Sequence, residues 1–159
     1  MSRVGIGYDS HRLVEGRPLI IALTEVPFDR GPEGHSDGDV VAHALTDALL
    51  GAAALGDIGR HFPNNDPKWK GANGLIFLEH TIKLLRDAGY RPVNVDAVVV
   101  LEKPKLAPYA DVMRQALAAA LGLPLDAVSL KAKTAEGLGP VGEGKAIEAH
   151  AIAMVEPIG

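Results

Sequence analysis

The sequence of 159 residues contains no cysteine. This absence excludes a disulfide framework, and it also excludes a zinc site built on thiolate ligands. Any metal that the protein binds must therefore be held by histidine and carboxylate side chains. The six histidines and twenty acidic residues are the pool from which such a site would be drawn.

An excess of positive charge is also absent. Sixteen Lys and Arg residues stand against twenty Asp and Glu residues, which gives a formal net charge of −4. No broad cationic field is therefore available for a nucleic acid or an anionic bilayer, and we expect neither as a partner. The longest apolar runs, such as residues 97–101, fall far short of the roughly 20 residues of a membrane-spanning helix. The first residues lead directly into a strand pattern without a leader signature, so we expect a soluble, cytoplasmic protein.

The length and the 47% hydrophobic content predict one domain, residues 1–159, with enough apolar side chains for a core. Alternation and helical spacing then assign the elements. They predict strands within the first thirty residues, a loop at 29–34, helices from 39 to just before Gly56, from about 73 to 89 and from 108 to 122, and strands at 93–101, 128–133 and 146–155. This order predicts an α/β (α+β) two-layer sandwich, in which helices cover one face of a mixed four-stranded sheet and an N-terminal β-hairpin extends from it. Residues 57–71 are too rich in Pro and Asn for a regular element, and a loop of that length is often functional.

Asp9 and His11 lie two residues apart at the end of the first predicted strand, so their side chains share one face and can share one metal ion. Residues 31–59 hold five acidic residues and no Lys or Arg, which favours a bound cation. His43 lies in this region and could supply a third ligand. Three ligands would leave a fourth tetrahedral position open, as in catalytic zinc sites. Asp39 or Asp47, one helical turn away on the same face, could orient His43. A polar surface and a solvated helix stripe are the alternative interpretations.

Gly137, Gly139 and Gly142 match the spacing of a dinucleotide-binding loop, but Pro140 interrupts the match and a strand pattern follows it. The loop could instead cradle a phosphate with its backbone N–H groups, while Glu136 holds Mg²⁺ against that phosphate. An ordinary connection between strands remains the alternative.

Lys103 and Lys105 follow the Val-rich strand, at a position where α/β folds often place ligands. Two lysines there suit an anionic ligand. They are also consistent with solubilising charges at a turn.

The run from His35 through Asp39 and His43 to Asp47, continued by residues 48–59, resembles the 2-C-methyl-D-erythritol 2,4-cyclodiphosphate synthases. The opening motif matches too, and so do segments of the central loop and the last motif. These additional matches are Gly5, Gly7, Asp9 and His11; Phe62, Pro63, Asp66, Pro67 and residues 70–72; and Lys131, Ala132, Thr134, Glu136, Leu138 and Gly139. The resemblance covers nearly the whole chain.

The resemblance implies an enzyme that converts 4-diphosphocytidyl-2-C-methyl-D-erythritol 2-phosphate to the 2,4-cyclodiphosphate and CMP, in the non-mevalonate route to isoprenoid precursors. It implies a phosphorus–oxygen lyase that is a homotrimer with active sites between subunits. Its zinc ligands would be Asp9, His11 and His43, and Glu136 would hold Mg²⁺ or Mn²⁺. His35 and Thr134 would be catalytic. The implied substrate contacts are Asp9, His11, His35, Ser36, Asp57, Ile58, Gly59, Phe62, Asp66, Leu101, Pro104, Lys105, Leu106, Ala107, Ala132, Lys133, Thr134, Ala135 and Glu136.

The sequence departs from the family pattern at a few positions. Ala22 and Leu23 replace a glycine pair, which predicts a difference in loop detail. Pro140 and Glu143 stand where the family commonly has Phe and Arg, residues associated with an axial cavity for an isoprenoid diphosphate, and Glu143 would repel that anion. Two other functions are compatible with the site residues. One is a zinc phosphoesterase, which would give an acyclic product, and the other is a non-catalytic, trimeric nucleotide-binding module.

Overall fold

The amino-terminal segment forms one long strand, and the main sheet is built outward from it. The computed structural model describes residues 1–159. Its strands are β1 (Arg3–Glu15), β2 (Leu19–Ile21), β3 (Thr24–Val26), β4 (Arg30–Pro32), β5 (Tyr90–Val100), β6 (Val128–Lys133) and β7 (Ala146–Pro157). Its α-helices are α1 (Val40–Ala52), α2 (Ile58–His61), α3 (Gly74–Asp87), α4 (Ala110–Leu121) and α5 (Gly139–Gly142), and short 3-10 helices cover Pro67–Trp69, Ala107–Tyr109 and Leu125–Ala127.

The strands form a mixed sheet in the order β4-β1-β7-β5-β6, and β2 pairs with β3 in a separate hairpin. Only β5 and β6 run parallel, since all other neighbours are antiparallel. The long helices α1, α3 and α4 cover one face. Alternate residues of β7, from Ile147 to Val155, point into this core and are buried. The two-layer fold with helices on one face and the N-terminal hairpin is therefore confirmed.

The edge of the sheet differs from the sequence prediction. Residues 29–34 were expected to form a loop, yet Arg30–Pro32 forms β4 and pairs with Leu13–Glu15 of β1, which adds a fifth strand. Gly and Pro disfavour strands, so local propensity does not predict β4, and the neighbouring strand induces the pairing.

The predicted helices are present with shifted ends. Asp39 and Asn73 cap α1 and α3 at their amino termini, as their residue types favour, whereas α1 ends at Ala52 and not near Gly56. The predicted irregular segment 57–71 contains α2 and one 3-10 turn, which begin at the capping residues Asp57 and Asp66.

Two glycines let α1 lie directly on β1. A Cβ atom at Gly5 would come within 2.0 Å of the carbonyl oxygen of Ala48, and one at Gly7 within 1.9 Å of that of Ala44. Any larger residue would therefore push the helix away from the strand. This close approach holds α1 against the first half of β1, next to Asp9 and His11 of the candidate site.

Asp39 ties the same end of α1 to the β2–β3 hairpin. Its buried carboxylate accepts hydrogen bonds from the N–H groups of Ala22, Leu23 and Ala42. Ala22 and Leu23 have φ values of 51° and 64°, so the glycine pair is replaced without loss of the left-handed turn. The three hydrogen bonds to Asp39 offset the strain that these side chains bring to that conformation.

The other face of the sheet is not covered by helices, and it carries apolar side chains. Val4 is 61% exposed, Ile6 is 74% exposed and Ile152 is 51% exposed, and Tyr8 lies beside them. A contiguous exposed apolar patch of this kind is typical of an interaction surface. None of the helices has the length and the apolar composition needed to span a bilayer.

Candidate active site

Asp9, His11 and His43 meet at one point, where the middle of β1, and not its end as the sequence predicted, faces the first turns of α1. Their potential ligand atoms all lie within 4.8 Å of one another. Oδ2 of Asp9 is the common neighbour, at 2.9 Å from Nε2 of His11 and 3.0 Å from Nδ1 of His43. The sequence prediction that β1 and the first helix bring these three side chains together is confirmed.

The hydrogen bonds of His11 favour a cation at this point. Nδ1 lies 2.8 Å from the carbonyl oxygen of Glu33, which can only accept, so Nδ1 carries the hydrogen and donates it. Nε2 is buried and has no aligned hydrogen-bond partner, although it faces the Asp9 carboxylate. A nitrogen lone pair directed towards a carboxylate oxygen is satisfied by a metal ion that both atoms bind. The three residues therefore fit a divalent cation such as zinc.

The pKa values in this cluster reflect the same contacts. Burial acts to raise the pKa of Asp9, but the close contacts with the His11 and His43 rings outweigh it and hold the pKa below its usual value. Burial acts to lower the pKa of His11, but the Asp9 carboxylate outweighs it and raises the pKa. Asp9 is therefore an anion near neutral pH, as a metal ligand must be.

Ser36 orients His43, and the two acidic residues expected to do so do not. The Oγ atom of Ser36 lies 3.2 Å from Nε2 of His43 and also accepts a hydrogen bond from the N–H of Gly38. The expectation that Asp39 or Asp47 would bind His43 was wrong. Asp39 caps α1, and Asp47 accepts a hydrogen bond from the N–H of Ile58, so both carboxylates bind backbone groups.

The three residues line a cavity of about 290 Å³, which we call the metal pocket. An aromatic group forms one wall, because the ring of Phe77 lies edge-on to His43 at 5.0 Å and to Phe62 at 4.7 Å, and Trp69 packs against both phenylalanines. The full lining is Asp9, His11, Gly34, His35, Ser36, His43, Ile58, Gly59, Phe62, Asn64, Trp69 and Phe77.

A second cavity of about 370 Å³ lies between β5, β6 and α4; we call it the β5–β6 pocket. It shares no residue with the metal pocket and is mostly apolar, with two lysines among its lining residues. That lining is Val99, Leu101, Glu102, Pro104, Lys105, Leu106, Ala107, Ala110, Met113, Leu130, Ala132, Lys133 and Thr134. Its size and its apolar surface suit a heterocyclic base, and its lysines suit an attached phosphate.

The chain following β6 does not present the free N–H groups that the glycine pattern suggested. The carboxylate of Glu102 accepts hydrogen bonds from the N–H groups of Ala135 and Gly137, and Thr134 Oγ1 accepts one from Glu136. The expectation of a phosphate cradle in this segment was therefore wrong for these three N–H groups, because side chains of the protein already occupy them.

The family model described as the YgbB family matches residues 2–156. The chain belongs to the YgbB family. One relative, from Gloeobacter violaceus, is 59% identical over 154 residues, which cover 97% of this chain and 94% of the relative. Another, from Chloroherpeton thalassium, is 54% identical over 156 residues, which cover 98% and 99% of the two chains. Both are named 2-C-methyl-D-erythritol 2,4-cyclodiphosphate synthase.

Solved structures agree with this membership. A structure of a 2C-methyl-D-erythritol-2,4-cyclodiphosphate synthase has a TM-score of 0.90 and 42% identity, over 97% of this chain and 100% of that chain. A CDP complex of Plasmodium falciparum IspF has a TM-score of 0.86 and 32% identity, over 99% and 97% of the two chains. The resemblance inferred from the sequence motifs is confirmed.

In this YgbB-family chain the predicted substrate contacts divide between the two pockets. Asp9, His11 and five others line the metal pocket: His35, Ser36, Ile58, Gly59 and Phe62. Eight line the β5–β6 pocket: Leu101, Pro104, Lys105, Leu106, Ala107, Ala132, Lys133 and Thr134. Ala135 and Glu136 follow directly on Thr134 and lie just outside it. Asp57 and Asp66 lie in neither lining, since their carboxylates cap α2 and the 3-10 turn.

Sequence reasoning missed Trp69, Phe77 and Glu102. A single aromatic residue within a Pro-rich loop has no periodic pattern that marks it as buried, yet Trp69 is only 6% exposed. Phe77 fits the apolar face of α3 and gave no sign that it also reaches His43. The only sequence signal for Glu102 is an acidic residue at the end of a buried strand, next to a motif.

Proposed function

We propose that this chain catalyses the cyclisation of 4-diphosphocytidyl-2-C-methyl-D-erythritol 2-phosphate to 2-C-methyl-D-erythritol 2,4-cyclodiphosphate, with release of CMP. The observation that carries the proposal is the Asp9, His11 and His43 cluster in a chain of this family. The names of the relatives supply the product, and the CDP complex of a related structure supports a cytidine nucleotide as the ligand class.

In this reaction an oxygen of the 2-phosphate attacks the β-phosphorus of the same molecule. A new phosphorus–oxygen bond forms, the bond from the β-phosphorus to the bridging oxygen breaks, and that oxygen leaves with CMP. No water is consumed and no oxidant is needed, which is the balance expected of a phosphorus–oxygen lyase. The protein mainly positions the two phosphates and neutralises their mutual repulsion.

Asp9, His11 and His43 would hold zinc, and Glu136 would hold Mg²⁺ or Mn²⁺. These cations, when bound, supply positive charge to the phosphate oxygens. The chain's own residues orient the substrate. His35 and Ser36, which line the metal pocket, would contact the erythritol phosphate. Thr134 would act with His35 on the transferring phosphoryl group.

The β5–β6 pocket would hold the cytidine. Leu101, Leu106 and Ala132 give it apolar walls, and Lys105 adds a positive charge near the expected position of the phosphates. Apolar walls and backbone polar groups together can hold a base with few charged side chains. The mostly apolar lining of the β5–β6 pocket is consistent with this kind of binding.

A homotrimer would bring the two pockets together. Across the sheet, Asp9 is in register with Ala149 and then with Val99, which lines the β5–β6 pocket, so about 10 Å of backbone separates the two linings. Ala149 is 0% exposed, so the strand between the pockets within one chain is packed. The exposed apolar face around Val4 and Ile6 would be the surface on which subunits associate. Residues 1–159 would act as one domain in the cytoplasm, without nucleic acid or membrane partners.

We would test the function by ³¹P NMR of the zinc-loaded protein with the cytidine diphosphate substrate and Mg²⁺. Equal amounts of CMP and a cyclic diphosphate are expected, and a His43→Ala variant should give neither. Glu79→Gln is the control, because Glu79 is an exposed carboxylate of α3 that lines neither pocket. CMP with an acyclic product would instead identify a hydrolase. Nucleotide binding without turnover would identify a binding module.

Shared sites can be tested separately by mixing variants. Asp9→Asn damages the metal pocket, and Glu136→Ala damages the other half, so neither homotrimer should be active. After the subunits are exchanged in equal amounts, about one quarter of the sites would combine two intact halves. Recovery of about a quarter of the wild-type activity is expected. No recovery, with exchange verified by mass spectrometry, would contradict a site formed between subunits.

A further inference from the structure

Glu102 is the second residue after β5, and its half-buried side chain reaches across to the segment that follows β6. Oε1 accepts a hydrogen bond from the N–H of Ala135 at 3.0 Å, and Oε2 accepts one from the N–H of Gly137 at 3.2 Å. These two N–H groups belong to the residues on either side of Glu136. One carboxylate therefore holds the backbone on both sides of the proposed ligand of the second cation.

The backbone at Glu136 needs an external restraint. Its φ is +54°, in the left-handed region that residues with a Cβ atom rarely adopt. Gly137, the next residue, has a φ of +74°. Consecutive left-handed residues in an exposed segment persist only when surrounding contacts fix them. The Thr134 hydroxyl, the hydrogen bond from the N–H of Leu138 to the carbonyl of Ala135 and the Glu102 carboxylate provide such contacts. Of these three, only the carboxylate comes from outside residues 134–138.

Glu102 has no competing partner. None of the seven ion pairs of the chain includes it, and its nearest lysines in sequence, Lys103 and Lys105, do not pair with it. Its two oxygens are used on the backbone of this segment, and its position at the end of β5 is fixed because the N–H of Leu101 bonds to the carbonyl of Lys133. The edge of the sheet therefore positions the Glu102 carboxylate, and both of its oxygens bind the backbone of residues 135–137.

We propose that Glu102 is a positioning residue that fixes residues 135–137, so that the Glu136 carboxylate is held ready for the divalent cation. This inference rests on the proposed function, in which Glu136 binds Mg²⁺ or Mn²⁺. Glu102 would act through the backbone of residues 135–137 and not as a ligand of the cation. Because Glu102 already restricts this backbone, Glu136 loses less conformational entropy when it binds the cation.

The test compares Glu102→Ala, Glu102→Gln and the control Glu79→Ala in the zinc-loaded protein. Glu102→Ala should raise the Mg²⁺ concentration for half-maximal activity by about tenfold or more, the usual range for a residue that orients a metal ligand. Saturating Mg²⁺ should restore most of kcat. Glu102→Gln keeps one acceptor oxygen and should cause a smaller increase, and Glu79→Ala should cause none.

A second measurement does not depend on activity. Amide hydrogen exchange, measured without divalent cations other than zinc, should become faster at Ala135 and Gly137 in Glu102→Ala, while core amides of β7 stay protected. Mn²⁺ binding, followed by electron paramagnetic resonance in the presence of CDP, should weaken in parallel with the Mg²⁺ dependence.

Three results would overturn the proposal. The first is faster exchange with no change in the Mg²⁺ requirement, and the second is a loss of kcat that excess Mg²⁺ does not restore. The third is tighter CDP binding by Glu102→Ala without Mg²⁺, which would mean that Glu102 blocks a phosphate site. Failure of the proposed function is separately visible, because the wild-type protein would then form no cyclic product, and Glu136→Ala would leave the Mg²⁺ requirement unchanged.

Discussion

The metal pocket and the β5–β6 pocket are constructed in different ways. In the metal pocket the chemistry is carried by charged and polar side chains, and these are placed by close packing of α1 on β1. The β5–β6 pocket is lined mainly by aliphatic residues, and its adjoining segment is held in place by Glu102. Removal of one side chain from such a cluster should therefore abolish metal binding. A pocket with aliphatic walls distributes its binding energy over many contacts, so removal of one side chain there should weaken binding less.

The largest expected effect is in the metal pocket. Asp9→Asn removes the anion that both histidines face, so zinc binding should be lost and kcat/KM should fall by about 10³-fold. Metal content by mass spectrometry and ³¹P product analysis would measure this, with Glu79→Gln as the matched carboxylate-to-amide control. An active Asp9→Asn variant that still binds zinc would contradict the expectation that the metal pocket depends on each of its ligands.

Lys105→Ala tests the β5–β6 pocket and should have a smaller effect. Loss of one cation near the phosphates should raise KM by about tenfold while kcat stays within a few-fold, because a binding contact is removed and the metal pocket is intact. Steady-state kinetics would separate the two constants. A fall in kcat with unchanged KM would show that Lys105 acts on the reacting phosphate, and the division between the pockets would then be wrong.

Arg17→Ala tests how the metal pocket is held together. The guanidinium donates hydrogen bonds to the carbonyl oxygens of Pro32 and Ser36, on both sides of His35. Its removal should lower the free energy of unfolding by about 1–3 kcal/mol, since two carbonyl groups lose a charged donor. Urea denaturation would measure the change, and Arg12→Ala is the control because Arg12 is exposed and has only a weak ion pair. Equal stability of the two variants would contradict this role.

The smallest effect is expected for Asp96→Asn, on the face of the sheet away from both pockets. Burial acts to raise the pKa of Asp96, but the hydrogen bond from Lys131 outweighs it, so the pKa is lowered. The pair therefore stabilises the fold above the ordinary pKa of Asp, and this contribution is lost as the pH falls through the lowered value. Because both side chains are largely exposed, the loss at pH 7 should be under about 1 kcal/mol. Thermal unfolding at pH 7 and pH 3 would detect it, and a loss of stability as large at pH 3 as at pH 7 would show that the ion pair with Lys131 is not its cause.

The cluster of possible metal ligands could be predicted from the sequence because strand and helix periodicity are local. Asp9 and His11 share a face through the two-residue repeat, and the helix around His43 was clear from its spacing. The orientation of His43 could not be predicted in this way. Asp39 and Asp47 have the correct spacing on α1, but caps and backbone N–H groups compete for their carboxylates, and Ser36 approaches from a loop whose course depends on Arg17.

The β5–β6 pocket was predictable only through the family resemblance. Leu101, Pro104 and Ala132 have no chemical signature of their own, and their function depends on which strands are neighbours. The strand β4 was missed for the same reason, since its pairing depends on the end of β1 and not on the propensity of Arg30–Pro32.

The order of residues along the chain is enough to predict the cluster of possible metal ligands, the helices and the family, because ligand type, spacing and capping residues act over a few positions. Tertiary structure decided which groups complete the site. Ser36 contacts His43 from 7 residues away, and Glu102 binds the N–H of Gly137 from 35 residues away. Trp69 is buried although no periodic pattern in the sequence marks it as a core residue. Such contacts depend on strand order and on the close approach of α1 to β1, which many side chains determine together.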